Sequence, residues 1–264
     1  MKASDFIYND KKLSEFGFMI CSFDSKGLET IEGTEISFNS VPTLNGTKSE
    51  LVSVVYEQNL ETTIQICKNI CSGGALEIQP HEYRNLTKWL GKKGFYKLKF
   101  FDESHIDIYY EAAFTSISRI EVDGKLIGLE LNIVTNRPFA LKEPKTIVIK
   151  NNVVDGKYSI NDTSYEEGHI YPYVEITIEE DGHLKIYNSI ESRETYIANC
   201  VAGEVITMDY PIIQSSKISH NIQNDFNWNF FRIANTYEKS RNDLTISLPC
   251  TIKIKYSPIV KVGL

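Results

Sequence analysis

The residue types that do chemistry are few in this chain and widely separated. Its five histidines are His81, His105, His169, His183 and His220. His169, His183 and His220 share the C-terminal half and would form a metal site only if the fold gathered them. None stands at the spacing that marks a zinc site or belongs to a recognisable triad motif, so scattered surface histidines are expected. The acidic groups Glu166-Glu167 and Glu179-Glu180-Asp181 invite a glycosidase reading. Catalytic carboxylates must face each other across a cleft, however, and neighbours in a turn point apart. These acids are therefore read as turn residues. "CSGGAL", residues 71–76, lacks the Lys-Ser/Thr ending of a phosphate-binding loop. The five cysteines, Cys21, Cys67, Cys71, Cys200 and Cys250, are odd in number, and "CKNIC" spaces Cys67 and Cys71 wider than a redox or zinc C-x-x-C. Buried reduced thiols are the expectation. No catalytic residue, no metal ligand, no cofactor-binding residue and no enzymatic activity is expected.

Two stretches suggest binding instead. In "GKKGFYKLKFFD" the side chains of Lys92, Lys93, Lys97 and Lys99 form a local basic cluster that would suit a phosphate-bearing partner. Strand alternation puts Lys97 and Lys99 on an outer face with no aromatic platform between them, which favours solvated lysines. In "FNWNFF" the rings of Trp228, Phe230 and Phe231 would serve a domain that stacks aromatics on sugar rings. The packing alternative places Trp228 and Phe230 on one strand face, inside the core. The balance of 35 acidic against 28 basic residues gives a formal charge of -7, against a dedicated nucleic-acid binder. No apolar run approaches the roughly 18 to 20 residues that span a bilayer, and "MKASDFIYND" has no apolar signal-peptide region, so a chain made and kept in a cytosol is expected.

These residues must be positioned mostly by strands. In "YVEITIEEDGHLKIYN", Val174, Ile176 and Ile178 alternate with polar residues, as do Leu184 and Ile186, around an Asp181-Gly182 pair. Such alternation about an Asp-Gly turn predicts a β-hairpin. "LETTIQIC", "TIVIK" and "TIKIKY" repeat the pattern, with Ile252, Ile254 and Tyr256 facing opposite to Lys253 and Lys255. One helix interrupts this text, over about residues 80–91. Pro80 suits a first helical turn, Tyr83, Leu86 and Leu90 with Trp89 make one apolar stripe, and Gly91 and Gly94 offer a stop. Trp89 is read as a core anchor. Pro138 and Pro144 in "NRPFALKEPK", residues 136–145, mark the best linker. With 264 residues and 42% hydrophobic content, two domains are expected: 1–138, a β domain covered by the helix, and 139–264, an antiparallel β-sandwich without a convincing helix.

The order of these pieces resembles the distal tail proteins (Dit) of long-tailed phages, the siphophages, that infect Gram-positive bacteria. The likeness runs through "FIYNDKKLSEFGFMICSFD", through "QPHEYRNLTKWLGKKGFYKLKFFD" and "IYYEAAFTSISRIEVDGKLIGLELNIVTNRPFA", and through "NNVVDGKYSINDTSYEEGHIYPYVEITIEEDGHLKIYNS", "GEVITMDY" and "CTIKIKYSP". The resemblance implies a mainly β fold, with a ring-forming N-terminal domain and a galectin-like C-terminal sandwich. It further implies a structural baseplate hub in the virion tail tip, assembled in the host cytoplasm. Its expected partners are five further copies in a hexameric ring, the tail tube protein, a tail-associated lysin-like protein, and receptor-binding or baseplate proteins. No membrane and no specific nucleic acid are implied as partners, although DNA would pass through the ring. The competing function is a carbohydrate-binding adhesion module using the C-terminal sandwich.

Overall fold

The computed structural model describes residues 3–23, 35–44, 46–69, 75–102, 105, 107–236 and 238–262. The chain divides into two compact units, Met1–Leu141 together with Lys261–Leu264, and Lys142–Val260. Both are mainly β, as the alternation requires.

In the first unit the strands are β1 (Phe6–Tyr8), β2 (Lys11–Lys12), β3 (Phe18–Cys21), β4 (Ile36–Pro42), β5 (Ser49–Tyr56), β6 (Glu61–Lys68), β7 (Tyr96–Phe100), β8 (Ile108–Val122), β9 (Lys125–Thr135) and β10 (Ala140–Lys142). The main sheet runs β2-β1-β7-β8-β9-β6-β3, antiparallel wherever consecutive neighbours pair, and β10 adds to β8. Register aligns Phe6 with Phe100, Tyr8 with Leu98, and Leu98 with Tyr110, so these apolar side chains share one face. Helix α1 (Pro80–Leu90) covers that face. Its entry is fixed by Pro80 in the first turn and by the Glu82 carboxylate, which accepts a hydrogen bond from the Gln79 amide at 2.7 Å. Leu86, Trp89 and Leu90 are buried. The Trp89 ring stacks on Phe16 at 4.4 Å and on Phe6 at 5.7 Å, and its indole N–H donates to the Tyr8 carbonyl at 3.0 Å. A ring with both faces and its one polar atom engaged is an anchor for the fold. Gly91 ends the helix with φ of -76°, not in the left-handed region; what requires glycine is space, because a Cβ there would lie 2.7 Å from the Thr87 carbonyl oxygen.

The second unit holds β11 (Lys145–Asn151), β12 (Gly156–Asn161), β13 (Gly168–Ile170), β14 (Tyr173–Ile178), β15 (Gly182–Asn188), β16 (Arg193–Cys200), β17 (Val205–Asp209), β18 (Ile212–Ser215), β19 (Ile233–Asn235), β20 (Arg241–Ile246) and β21 (Cys250–Tyr256). Two antiparallel sheets, β11-β21-β14-β17-β18 and β12-β20-β15-β16, share a single apolar core, while β13 and β19 form a small ribbon. Val174, Ile176, Ile252, Ile254, Ile206 and Met208 face it from the first sheet; Leu184, Ile186, Ile197, Leu244 and Ile246 do so from the second. This is a β-sandwich. A helical turn, α2 (Ile222–Asp225), lies between β18 and β19.

One expectation fails instructively. β14 and β15 are not a hairpin: β14 pairs with β17 and β21, whereas β15 pairs with β16 and β20. Asp181-Gly182 is the corner where the chain passes from one sheet to the other. Both strands turn their apolar side chains to the same core, so their alternation is identical to that of a hairpin. Gly182 sits at the corner because a Cβ there would lie 2.8 Å from Leu248 Cδ1. The Pro138 to Pro144 stretch is likewise not a bare linker, for β10 lies within it with Ala140 and Leu141 buried.

Candidate assembly surfaces

Strands β4 and β5 pair with each other and, among the described residues, with no other strand. Their register sets Ile36 opposite Tyr56, Phe38 opposite Val54, and, beyond an irregularity after Asn39, Ser40 opposite Leu51. Directly opposed residues lie on one face of an antiparallel pair, so Ile36, Phe38, Leu51, Val54 and Tyr56 make an apolar face. In an ordinary sheet that face would be covered. Here Phe38 is 67% exposed, Leu51 56% and Val54 47%, with Val41, Val52 and Val55 also exposed. A lone two-stranded hairpin is marginally stable in water, and an apolar patch of this kind marks a contact site. Among the described residues no strand pairs with either long edge of the ribbon, and such edges are suited to strand addition. The signal was present in "ISF" and "LVSVVY", where β-branched and aromatic residues alternate or run together, but pattern alone does not tell a covered strand from an uncovered one.

The lysines behave differently from expectation. Aromatic rings do accompany them: Lys97 Nζ lies 4.6 Å from the Tyr109 ring centroid, Lys92 Nζ 5.0 Å from Tyr96, and Lys12 Nζ 5.3 Å from Phe101. Lys97 is aligned with Glu111 across β7 and β8, and Glu111 also binds Arg137 at 2.9 Å. Cation–π contacts of this kind occupy the ammonium groups with local partners. Lys93 is exposed and Lys99 is half-buried.

The histidines do not converge. His169, exposed on β13, meets the Tyr171 ring edge-on at 5.3 Å, and burial followed by the Arg232 charge lowers its pKa. His183 accepts a hydrogen bond from the Asn199 amide at its Nδ1. His220 is buried, with Nδ1 2.6 Å from Glu204 Oε1 and Nε2 3.3 Å from Asp225 Oδ2. Glu204 also accepts hydrogen bonds from the Ser215 hydroxyl and the Val201 amide. Burial alone would raise the Glu204 pKa, but the hydrogen bonds from Ser215, His220 and Val201 outweigh it and hold the carboxyl below its ordinary value. Ser215 and His220 both address the carboxylate rather than each other, which makes a clasp between loop, strand and helical turn and not a nucleophile–base pair. His105 lies 3.5 Å from the Asp102 carboxylate, and His81 is exposed. Among the described residues no group of three or more His, Cys, Asp or Glu is placed to hold a metal.

The acidic groups act locally. Glu179 accepts from the Thr251 hydroxyl at 2.9 Å and Asp181 from the Ala202 amide at 2.7 Å; Glu180 and Glu167 are exposed, and Glu166 is half-buried. Cys200 and Cys250 are buried thiols whose pKa values burial pushes up to about 11 and about 12, so they are inert at neutral pH. Cys21 and Cys67 are only half-buried, contrary to expectation, and Cys71 lies outside the described residues, as does most of "CSGGAL".

Trp228 overturns its reading. It is not on a strand and not in the core: it is 56% exposed with φ of +59°, while Phe230 and Phe231 are buried. The preceding Asn227 makes the difference. Its side chain accepts from the Tyr196 and Asn229 amides at 3.2 and 3.1 Å and donates to the Glu194 carbonyl at 3.0 Å. An asparagine that caps the edge of β16 in this way breaks the alternation and turns the next side chain outward.

Comparison with known proteins agrees with the architecture. A family model described as a phage tail protein N-terminal domain matches residues 1–137, and one described as a phage tail C-terminal domain matches residues 139–256. The crystal structure of phage SPP1 Dit, described as a paradigm of the hub adsorption apparatus in phages infecting Gram-positive bacteria, aligns with a TM-score of 0.63 at 10% identity, over 97% of this chain and 99% of that one. A chain of the phage p2 baseplate in its activated conformation with strontium aligns with a TM-score of 0.49 at 12% identity, over 96% and 97% of the two chains. No curated protein matches the sequence. The Dit fold expected from the order of pieces is thus the fold observed, and the chain belongs to the family of phage tail proteins that the N-terminal model describes.

Proposed function

We propose that this phage tail protein is a hub of the siphophage tail tip, in which six copies close head to tail into a ring. Residues 1–138 form the ring, and the galectin-like sandwich of residues 139–264 lies outside it. The ring joins the tail tube to a tail-associated lysin-like protein and supports receptor-binding or baseplate proteins, in a virion assembled in the host cytoplasm. DNA passes through it without specific recognition, and no enzymatic step or cofactor is assigned to the chain.

The observation that carries this reading is the β4–β5 ribbon with its uncovered face of Phe38, Leu51 and Val54. An uncovered apolar element can meet a different surface of the next copy, and such a head-to-tail contact closes into a ring when its rotation closes. The test is Phe38→Asp combined with Val54→Asp in the full chain. The double variant is expected to keep wild-type circular dichroism and lose self-association, or lose association with the tail tube protein where the ring needs that partner. Unchanged assembly would remove the ribbon from the contact.

A further inference from the structure

The second unit carries a surface that assembly does not use in this account. Six rings follow one another: His169 against Tyr171, Tyr171 stacked on Tyr210 at 4.2 Å, Tyr210 edge-on to Phe230 at 5.3 Å, Phe230 edge-on to Trp228 at 6.4 Å, and Trp228 tilted on Phe226 at 5.7 Å. Phe226 and Phe230 are buried and brace the others from behind. Trp228 and Tyr210, by contrast, are 56% and 55% exposed on either side of Phe230. What sets this pair apart from other exposed apolar side chains is that both rings are braced edge-on by the same buried ring, Phe230.

The backbone supports the same conclusion. A bulky side chain in the left-handed region is an outlier that persists only where its surroundings over-determine it, and such outliers cluster at functional sites. Asn227 supplies that determination through its three side-chain hydrogen bonds to the edge of β16 and to Asn229. Trp228 is therefore held in place before any ligand arrives.

We infer that Trp228 and Tyr210 form a saccharide-binding site on the sandwich, each ring stacking on the apolar face of a pyranose. The reading does not rest on the ring-assembly proposal. Three features select this ligand class. The exposed apolar surface is a pair of rings flanking the buried Phe230, not the run of apolar side chains that the β4–β5 ribbon offers to a protein partner. Groups suited to hydroxyls accompany the rings: the half-buried Asn229, next to Trp228 in the chain, and the hydroxyl of Tyr171, whose ring stacks on Tyr210. Finally, Arg232, the cation that touches Tyr171, is already held by Glu191 at 2.8 and 2.6 Å, which favours a neutral sugar over an anionic one.

The test uses the full chain and the intrinsic fluorescence of its two tryptophans, of which Trp89 is buried and Trp228 exposed. Titration with trisaccharides of glucose, galactose and N-acetylglucosamine is expected to give, for at least one of them, a saturable blue shift with protection from iodide quenching. Trp228→Ala should abolish the shift, and Tyr210→Ala should weaken the affinity at least about tenfold, with melting temperatures close to wild type. Should Trp228→Ala fail to fold, Trp228→Leu replaces it, with binding read by calorimetry. No response to any of the three sugars overturns the inference. So does binding that survives both substitutions, or a fall in oligomer mass on Trp228→Ala, which would make the patch a protein contact.

Discussion

At the scale of single residues the two tryptophans make opposite predictions. Trp89 is enclosed by Phe6, Phe16 and Tyr8 and gives its N–H to the Tyr8 carbonyl. Its truncation to alanine leaves a cavity and an unpaired carbonyl, and a loss of about 3–5 kcal/mol is expected in urea unfolding. Trp228→Ala removes an exposed ring and should change stability by less than about 1 kcal/mol. Glu204 predicts a pH dependence. Its folded pKa lies below the unfolded value because the hydrogen bonds of Ser215, His220 and Val201 prevail over burial. The stabilisation is therefore present above the unfolded carboxyl pKa of about 4.3 and is lost as pH falls through the lower folded value. Thermal melts between pH 7 and pH 3 should show wild type losing stability steeply at the acid end. Glu204→Gln, already weakened at pH 7, should show a flatter acid limb.

At the scale of elements, buried amides tie strands together. Asn242 is fully buried on β20; its Oδ1 accepts from Asn188 Nδ2 at 2.7 Å and from the Ala234 amide at 2.8 Å, and its Nδ2 donates to the Ala234 carbonyl at 2.8 Å. Asn242→Ala orphans these partners and should cost about 2–4 kcal/mol in chemical denaturation, whereas the isosteric Asn242→Asp should also destabilise by placing a charge among acceptors. Secondary structure was legible wherever one face meets a core: α1 and strands β6, β11 and β21 follow their apolar periodicity. Partnership was not. Asp181-Gly182 gives the same pattern for a sandwich corner as for a hairpin, because alternation reports which side is buried and not which strand lies alongside. Trp228 escaped for a related reason, since the hydrogen bonds of Asn227 that turn it outward come from β16, some thirty positions away. The β4–β5 ribbon looked like any strand pair because alternation does not report whether a strand's apolar face is covered.

At the scale of the molecule, the exposed apolar face of the β4–β5 ribbon is the feature that suggests work done by surfaces. The family of phage tail proteins supplies the setting, and the Dit fold supplies the frame. What the account adds is a division of labour: an aliphatic ribbon in the first unit for protein contact, and an aromatic pair in the second for sugar. The measurement that tests the central claim most directly is the mass of the purified chain by light scattering across concentration, alone and with its tail tube protein, with negative-stain images of the large species. A ring of six times 30.1 kDa that disappears in the Phe38→Asp and Val54→Asp double variant is the predicted result. A chain that remains monomeric at every concentration and in the presence of the tube protein would contradict it.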